Sequence, residues 1–362
     1  MPETDSFRLN RILIIRPSAI GDIIMASPMI HVLRNARPQA YIAWLADESV
    51  RGLLDHHPDL NEVIYWSKER WRKQIKSLRI LDLLSEVRQF SADLKKRRFD
   101  LAIDAQGLLR SRLLARISGA ADRIGLDSRE PGRILMTQIV SRGDDKRPMS
   151  SEYRQLMRAL GFEPEEFAPE IVLSQRDRKA AASKLRALEI NKRFVLFCPF
   201  TTRSHKHWFP DRWAEMANYI ATHFDLPILM LGATRDSEAG RRIQALADVP
   251  IRDLVGQTTL PEAAAIVAQA ALVIGVDTGM THMGTAFRRP TIALFGATCP
   301  YLQTPSADTI VLYVRQTCSP CKRKPTCQGR YDCMGAITVK QAALAAHSLL
   351  EANAEKHPHP AH

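Results

Sequence analysis

No apolar run in the 362 residues approaches the ~20 needed to cross a bilayer, so a spanning helix is not expected. The opening stretch MPETDSFRLNR lacks a basic start followed by an apolar segment, which argues against a cleaved leader and for a cytoplasmic chain. No segment recurs at a fixed period, so a solenoid is not expected. Aromatic residues make up only 7% of the chain, and the basic stretches lack the aromatic spacing of an RNA-binding sheet. No C-x2-C…H-x3-H pattern occurs either. A nucleic-acid-binding metal protein is therefore kept only as the alternative from a different class, and no nucleic-acid partner is expected. Acidic residues are also short: 39 Asp and Glu face 51 Lys and Arg, for a net charge of +12. That excess predicts an anionic partner. It is concentrated in residues 68–147, which hold 20 Lys/Arg against 11 Asp/Glu.

What is present is a soluble, folded composition, 45% hydrophobic and 25% charged, long enough for two domains of roughly 150–200 residues. Short apolar runs alternate with helical patterns in both halves, the mark of parallel sheets with crossover helices. Strands are expected at RILIIR (11–16), YIAWLA (41–46), EVIYW (62–66) and LAIDA (101–105), then at RFVLFCP (193–199), PILMLG (227–232), ALVIGVD (271–277) and TIALFG (291–296). Residues 142–192 are polar, with the linker expected near 170–185. The expected fold class is α/β, two doubly wound parallel-sheet domains facing a ligand cleft at the carboxyl ends of their strands. The domain bounds read as 1–175 and 176–337. A C-terminal helix at 338–354 is expected to pack back on the N-terminal domain, before a disordered tail at 355–362.

Three strand-end loops carry chemistry. In RPSAIGD, Ser18, Gly21 and Asp22 follow the first strand. Gly21 permits close backbone approach, and Asp22 is either a helix cap or a general base facing the cleft. In CPFTTRSHKHWFPDRW, the hydroxyls of Thr201 and Thr202 and the ammonium of Lys206 surround a helix entrance and suit a phosphate. In IGVDTGMTHMGTAF, a strand ends at Asp277, and Thr278, Gly279 and His282 open a helix whose N–H groups attract anions. No D-x-D-type carboxylate pair stands in these loops, so a requirement for Mg²⁺ is not expected.

The stretches RPSAIGDIIMASPMIHVLRNARP, IDAQGLLRSRLLAR, FTTRSHKHWFPDRWAEM and GVDTGMTHMGTAFRRPTIALFGATCP, spread in order over residues 11–300, resemble the ADP-heptose:lipopolysaccharide heptosyltransferases of glycosyltransferase family 9, on their heptosyltransferase I side. The resemblance implies the GT-B fold. It also implies inverting transfer of heptose from ADP-heptose to the Kdo/inner-core region of a lipid A precursor, with no cofactor required. Residue by residue, it implies Asp22 as catalytic base and Lys206 as the group that neutralises the diphosphate. Thr201, Thr202, Asp277, Thr278, Gly279 and His282 then match the donor and phosphate contacts, with Glu238 or Asp236 near the ribose. An anionic glycolipid acceptor gives the basic half a reason: Ser18, Gly21, Lys68, Arg70, Arg72, Lys73, Gln106, Arg110 and Arg112 are its expected contacts. Trp66 and Trp71 are then candidates for the membrane interface, and the protein is expected at the cytoplasmic face of the inner membrane. A family 9 enzyme with another nucleotide sugar or a protein acceptor is the same-fold alternative.

Four of six cysteines, Cys318, Cys321, Cys327 and Cys333, follow a C-x2-C-x5-C-x5-C spacing. A cytosolic setting disfavours a disulfide framework, and the spacing can bring four thiolates onto one structural Zn²⁺ or iron ion. Some relatives in the broader family hold iron in such loops, whereas the simplest heptosyltransferase I pattern lacks the cluster.

Overall fold

A computed structural model describes residues 9–143, 148–321 and 325–356. The chain forms two compact units, one of residues 1–145 with 150–172, the other of 146–149 with 173–362.

The first unit is built on β1 (Arg11–Ile15), β2 (Tyr41–Asp47), β3 (Glu62–Trp66), β4 (Leu101–Asp104), β5 (Asp122–Leu126) and β6 (Gln138–Val140). They lie in the order β3-β2-β1-β4-β5-β6, every neighbouring pair parallel. Four consecutive residues of β1, Ile12 to Ile15, are buried, because a central parallel strand is covered by helices on both faces. The second unit repeats the plan with β7 (Val195–Cys198), β8 (Ile228–Met230), β9 (Ile251–Asp253), β10 (Leu272–Val276), β11 (Thr291–Phe295) and β12 (Thr309–Tyr313), in the order β12-β11-β10-β7-β8-β9. Counted within its own unit, each sheet has the 3-2-1-4-5-6 order of a doubly wound fold. The chain therefore reverses its winding between β1 and β4 and again between β7 and β10. Loops leaving those strand pairs diverge to opposite faces and open a crevice at their carboxyl ends.

Each unit has its own core. Leu13, Ile15, Leu45, Trp66 and Phe99 centre the first, and Phe197, Trp213, Met216, Ile274 and Leu294 centre the second. The unit boundary falls after Val172, where residue 175 was expected. The stretch expected as linker is largely the helix Gln175–Ala187, capped by the Ser174 hydroxyl, which accepts the Asp177 N–H at 3.1 Å. Its Lys184 ammonium donates to the Gln257 carbonyl at 2.8 Å. The C-terminal helix, Val339–Lys356, departs from expectation. Its Ala342, Ala345, Ala346, Leu349 and Leu350 join the second unit's core, not that of the first, because small residues on that face let it lie close over the sheet. From residue 357 on, the expected tail lies outside the described residues.

Candidate active site

In the first unit the chain leaves β1 through Arg16 and enters the helix Ile20–Ala26. Asp22 sits in that helix's first turn, where its Oδ2 accepts the Ala19 N–H at 3.1 Å and lies 2.7 Å from Nη2 of Arg16. Oδ1 takes no protein hydrogen bond among the described residues, and the side chain is 38% exposed. Asp22 thus caps the helix with one oxygen and offers the other. Arg16 is buried, and its Nη1 donates across the winding reversal to the Ala105 carbonyl after β4, at 3.2 Å. Burial alone would weaken the guanidinium's hold on its proton, but Asp22 and the neighbouring acids raise its pKa, so it stays charged.

Beside it, Asp104 is fully buried. Its Oδ1 accepts the N–H groups of Gln106 and Gly107, at 2.9 and 3.0 Å, and its Oδ2 is unpaired. Burial pushes this carboxyl's pKa up. The loop needs glycine at 107, where φ is +73° and a Cβ would come within 2.5 Å of the Leu126 oxygen. Gln106 reaches back to the Ser18 carbonyl at 3.0 Å and keeps a buried, unpaired Oε1. Ser18, Gln106 and the helix turn that holds Gly21 and Asp22 therefore stand at one reversal point. Arg16 was not singled out from sequence, although its place directly after the strand was the signal.

The expected cations divide. Lys68, Arg70, Arg72 and Lys73 belong to the surface helix Lys68–Lys76. Arg70 pairs with Glu86 at 3.0 Å, and Arg72 approaches Glu69 at 3.9 Å. Arg110 is half-buried with its Nε unpaired. Arg112 corrects the expectation of an acceptor contact. It is 0% exposed, and its Nη1 donates to the Glu130 and Pro131 carbonyls at 2.7 and 2.9 Å. The loop after β5 wraps this guanidinium and leaves only its buried Nε without a partner, so burial closes it to an anion from solvent. Trp66 and Trp71 are likewise packing residues. Their rings meet edge to face at 5.5 Å over the first core, with Trp66 buried.

In the second unit the two loops of the reversal point join directly. Lys206, from the turn after β7, places Nζ 2.6 Å from Oδ2 of Asp277 at the end of β10. The Thr298 hydroxyl donates to the same oxygen at 2.5 Å. His282 Nε2 lies 3.2 Å from Oδ1, and its Nδ1 is 2.7 Å from the Tyr301 hydroxyl. With the Tyr301 O–H donating to Nδ1, the His282 proton on Nε2 is donated to Asp277. Burial works against the Asp277 charge, yet the His282 hydrogen bond and the Lys206 charge hold its carboxyl well below the usual carboxylate range. The helix Gly279–Ala286 begins here. Its N-cap, Thr278, makes no side-chain cap, so the first-turn N–H groups stay open to an anion. Gly275 lets this corner form, because a Cβ there would meet Thr281 Oγ1 at 2.1 Å and Cys198 Cβ at 2.9 Å. His207 pins the Thr201–Thr202 turn through the Thr201 carbonyl at 2.9 Å. Glu238 is exposed in the first turn of the helix Ser237–Leu246, after β8. Thr298 and Tyr301 were missed because neither stands within the loop whose carboxylate they serve.

The cysteine loop does not meet its expectation. Among the described residues no group of three or more His, Cys, Asp or Glu side chains is gathered to hold a metal ion. The Cys321 thiol leans on the Ala297 carbonyl at 3.9 Å, and Cys327 and Cys333 are buried. Burial, with a smaller effect of the neighbouring thiols, pushes the thiols of Cys321 and Cys333 up. Lys322, Arg323 and Lys324 lie outside the described residues.

Against known proteins, the sequence model of glycosyltransferase family 9 (heptosyltransferase) matches residues 87–332. Lipopolysaccharide heptosyltransferase 1 of Pseudomonas aeruginosa is 28% identical over 320 residues, covering 88% of this chain and 87% of that protein. The crystal structure of the family 9 glycosyl transferase from Veillonella parvula superposes with a TM-score of 0.83 at 21% identity, over 96% of this chain and 99% of that one. An E. coli heptosyltransferase solved with ADP-2-deoxy-2-fluoro heptose gives 0.67 at 25% identity, over 95% and 99%. The two doubly wound units are those of the GT-B fold.

Proposed function

The chain belongs to glycosyltransferase family 9, and from that premise we propose that it moves heptose from ADP-heptose to the Kdo/inner-core region of a lipopolysaccharide precursor, by one inverting displacement. The observation that carries the reading is the Lys206–Asp277 pair at 2.6 Å beside an uncapped helix N-terminus, a seat for a diphosphate. The names of the relatives supply the sugar and the acceptor class: lipopolysaccharide heptosyltransferase in Pseudomonas aeruginosa, and a bound ADP-heptose analogue in E. coli.

In the proposed step, Oδ1 of Asp22 takes the proton of the acceptor hydroxyl as that oxygen attacks the anomeric carbon. The bond from that carbon to the diphosphate oxygen breaks, and ADP leaves with the electron pair. Lys206 and the N–H groups opening the helix Gly279–Ala286 stabilise the growing charge on the diphosphate. Donors held ready in this way are worth about 3–4 kcal/mol each in comparable sites. Thr201 and Thr202 add hydroxyl contacts, and Glu238 meets the ribose. Because lysine and main-chain N–H groups supply this stabilisation, the reaction proceeds without Mg²⁺. Since the acceptor is a glycolipid, the protein works at the cytoplasmic face of the inner membrane. Calorimetric titration with ADP, GDP and UDP, followed by a turnover assay with ADP-heptose and Kdo-lipid A, tests the reading. Selective ADP binding and ADP release dependent on the acceptor support it, and preference for another nucleotide moves the donor.

A further inference from the structure

The helix Lys68–Lys76 and the following helix Ile80–Lys96 are joined by a tight turn. The turn has the hydrogen bonds of a Schellman motif: Leu78 N–H to the Ile75 carbonyl at 3.2 Å and Arg79 N–H to the Gln74 carbonyl at 2.9 Å. The motif places its C′ residue in the left-handed region, where glycine is usual. Here that residue is leucine, with φ of +55°. Its side chain is 83% exposed, so no packing within the fold offsets the conformational cost. Leu81 is equally exposed, and Ile75, Ile80 and Leu84 are half-exposed. Ile80 and Leu84, at i and i+4, share one stripe of their helix. Five large apolar side chains within ten residues thus face water around a position built for glycine. Around them, residues 68–88 hold seven Lys/Arg against three Asp/Glu. Lys73 and Lys76 make no ion pair among the described residues.

We propose that this turn is a membrane-docking element, with Leu78 and Leu81 entering the acyl boundary of an anionic bilayer while the surrounding cations meet its headgroups. Apolar insertion combined with basic charge is the two-part signal that interfacial binding needs. The charge also decides the occupant: two copies of this basic patch brought face to face would repel, whereas an anionic surface attracts both. The inference rests on the lipid-linked acceptor proposed above only for its meaning in the reaction. The geometry of the turn stands apart from it.

The test is flotation of the full-length protein with phosphatidylethanolamine vesicles, with and without phosphatidylglycerol. Wild type floats with the anionic vesicles, and less so as salt rises from ~0.1 to ~1 M, which shortens the Debye length from about 10 to about 3 Å. Leu78→Ser combined with Leu81→Ser cuts partition at least ~10-fold while leaving the unfolding midpoint and turnover on a water-soluble, acyl-free acceptor unchanged. Leu78→Gly relieves the turn, so it lowers partition while the midpoint holds or rises. Equal partition of wild type and double variant overturns the proposal. So does loss in the variant of a lipid-free dimer seen by sedimentation, since the patch would then bind a second copy. Normal flotation without turnover in the wild type would instead overturn the glycosyl-transfer reading and leave the docking element standing.

Discussion

Arg16 holds one oxygen of Asp22 at 2.7 Å and leaves the other open, while its second Nη spans the winding reversal to Ala105. A carboxylate fixed on one side by a buried cation is oriented before substrate arrives, and orientation is where a positioned base gains its advantage. Asp22→Asn keeps the helix contact and removes the proposed base. Its expected effect is a fall in kcat of roughly 10²–10⁴-fold with ADP affinity unchanged. Arg16→Ala lowers kcat about 10-fold or more and costs about 1–2 kcal/mol of stability, discounted because Asp22 can rehydrate. Arg16→Lys keeps the charge but not the forked reach, and recovers part of the rate. Steady-state kinetics beside ADP titration checks all three, and unchanged kcat in Asp22→Asn would remove Asp22 from the mechanism.

In the second unit the cation proposed to meet the diphosphate is already paired, through the 2.6 Å contact of Lys206 with Asp277. On the proposed reading, removing the lysine does two things: it deletes a phosphate donor and leaves the Asp277 charge without its cation, held only by Thr298 and His282. Lys206→Ala is expected to weaken ADP binding by about 10–100-fold. Adding Asp277→Asn to that variant recovers part of the loss, because the repulsion goes with the charge. Calorimetry on the four proteins of this cycle reads the coupling directly. If the double variant binds no better than Lys206→Ala, the carboxylate does not repel the nucleotide.

The depressed pKa of Asp277 also fixes a pH dependence. A carboxylate held below its ordinary value near 4 makes the unfolded chain bind protons more readily, so stability rises with pH through that region. The contribution is whole above the unfolded value and is lost as pH falls through the folded one. Asp104, whose carboxyl is pushed up by burial, acts in the opposite sense, so the raw profile mixes the two. The comparison that isolates Asp277 is urea unfolding of wild type and Asp277→Asn. Their difference in unfolding free energy is expected to hold steady above about pH 5 and to shrink as pH falls below about 4. A difference that stays constant would mean that the Asp277 charge adds nothing to the fold.

Eight of the strands were readable in sequence: seven lie inside their sheets, covered on both faces, and so become uninterrupted apolar runs, while β3 is a partly buried edge strand read from its apolar and aromatic content. The other four hide for physical reasons. β5 opens on Asp122 and Arg123, β6 and β9 are three-residue edge strands that are only partly buried, and β12 is only half-buried along its length. Asp22, Lys206 and Asp277 were legible because they follow strands at the reversal points. Thr298, which donates to Asp277, and Tyr301, which bonds to His282, were not, since both arrive from beyond the next strand. Leu78 was invisible for another reason: only the backbone shows that it occupies a left-handed position with its side chain in water.

Arg112 shows the limit from the other side. In LLRSRLLAR it looks like a surface cation beside Arg110, and nothing local reveals that residues 126–131 fold over it. As a buried guanidinium feeding the carbonyls of Glu130 and Pro131, it acts on stability before it acts on substrate. Arg112→Ala strands those acceptors and opens a void, at an expected cost of about 2–4 kcal/mol. Arg112→Lys keeps the charge but lacks the planar fork, so a loss of about 1–2 kcal/mol is expected. Chemical unfolding measures the loss, and kinetics on material kept folded at low temperature should give an acceptor KM close to that of wild type. A variant that unfolds like wild type but shows a raised acceptor KM would return Arg112 to the acceptor site. Reaching an anionic acceptor would require the loop after β5 to swing away, and glycine at 132, with φ of +94° and a Cβ position 2.9 Å from Leu109, ties that loop closely to the helix that carries Arg112.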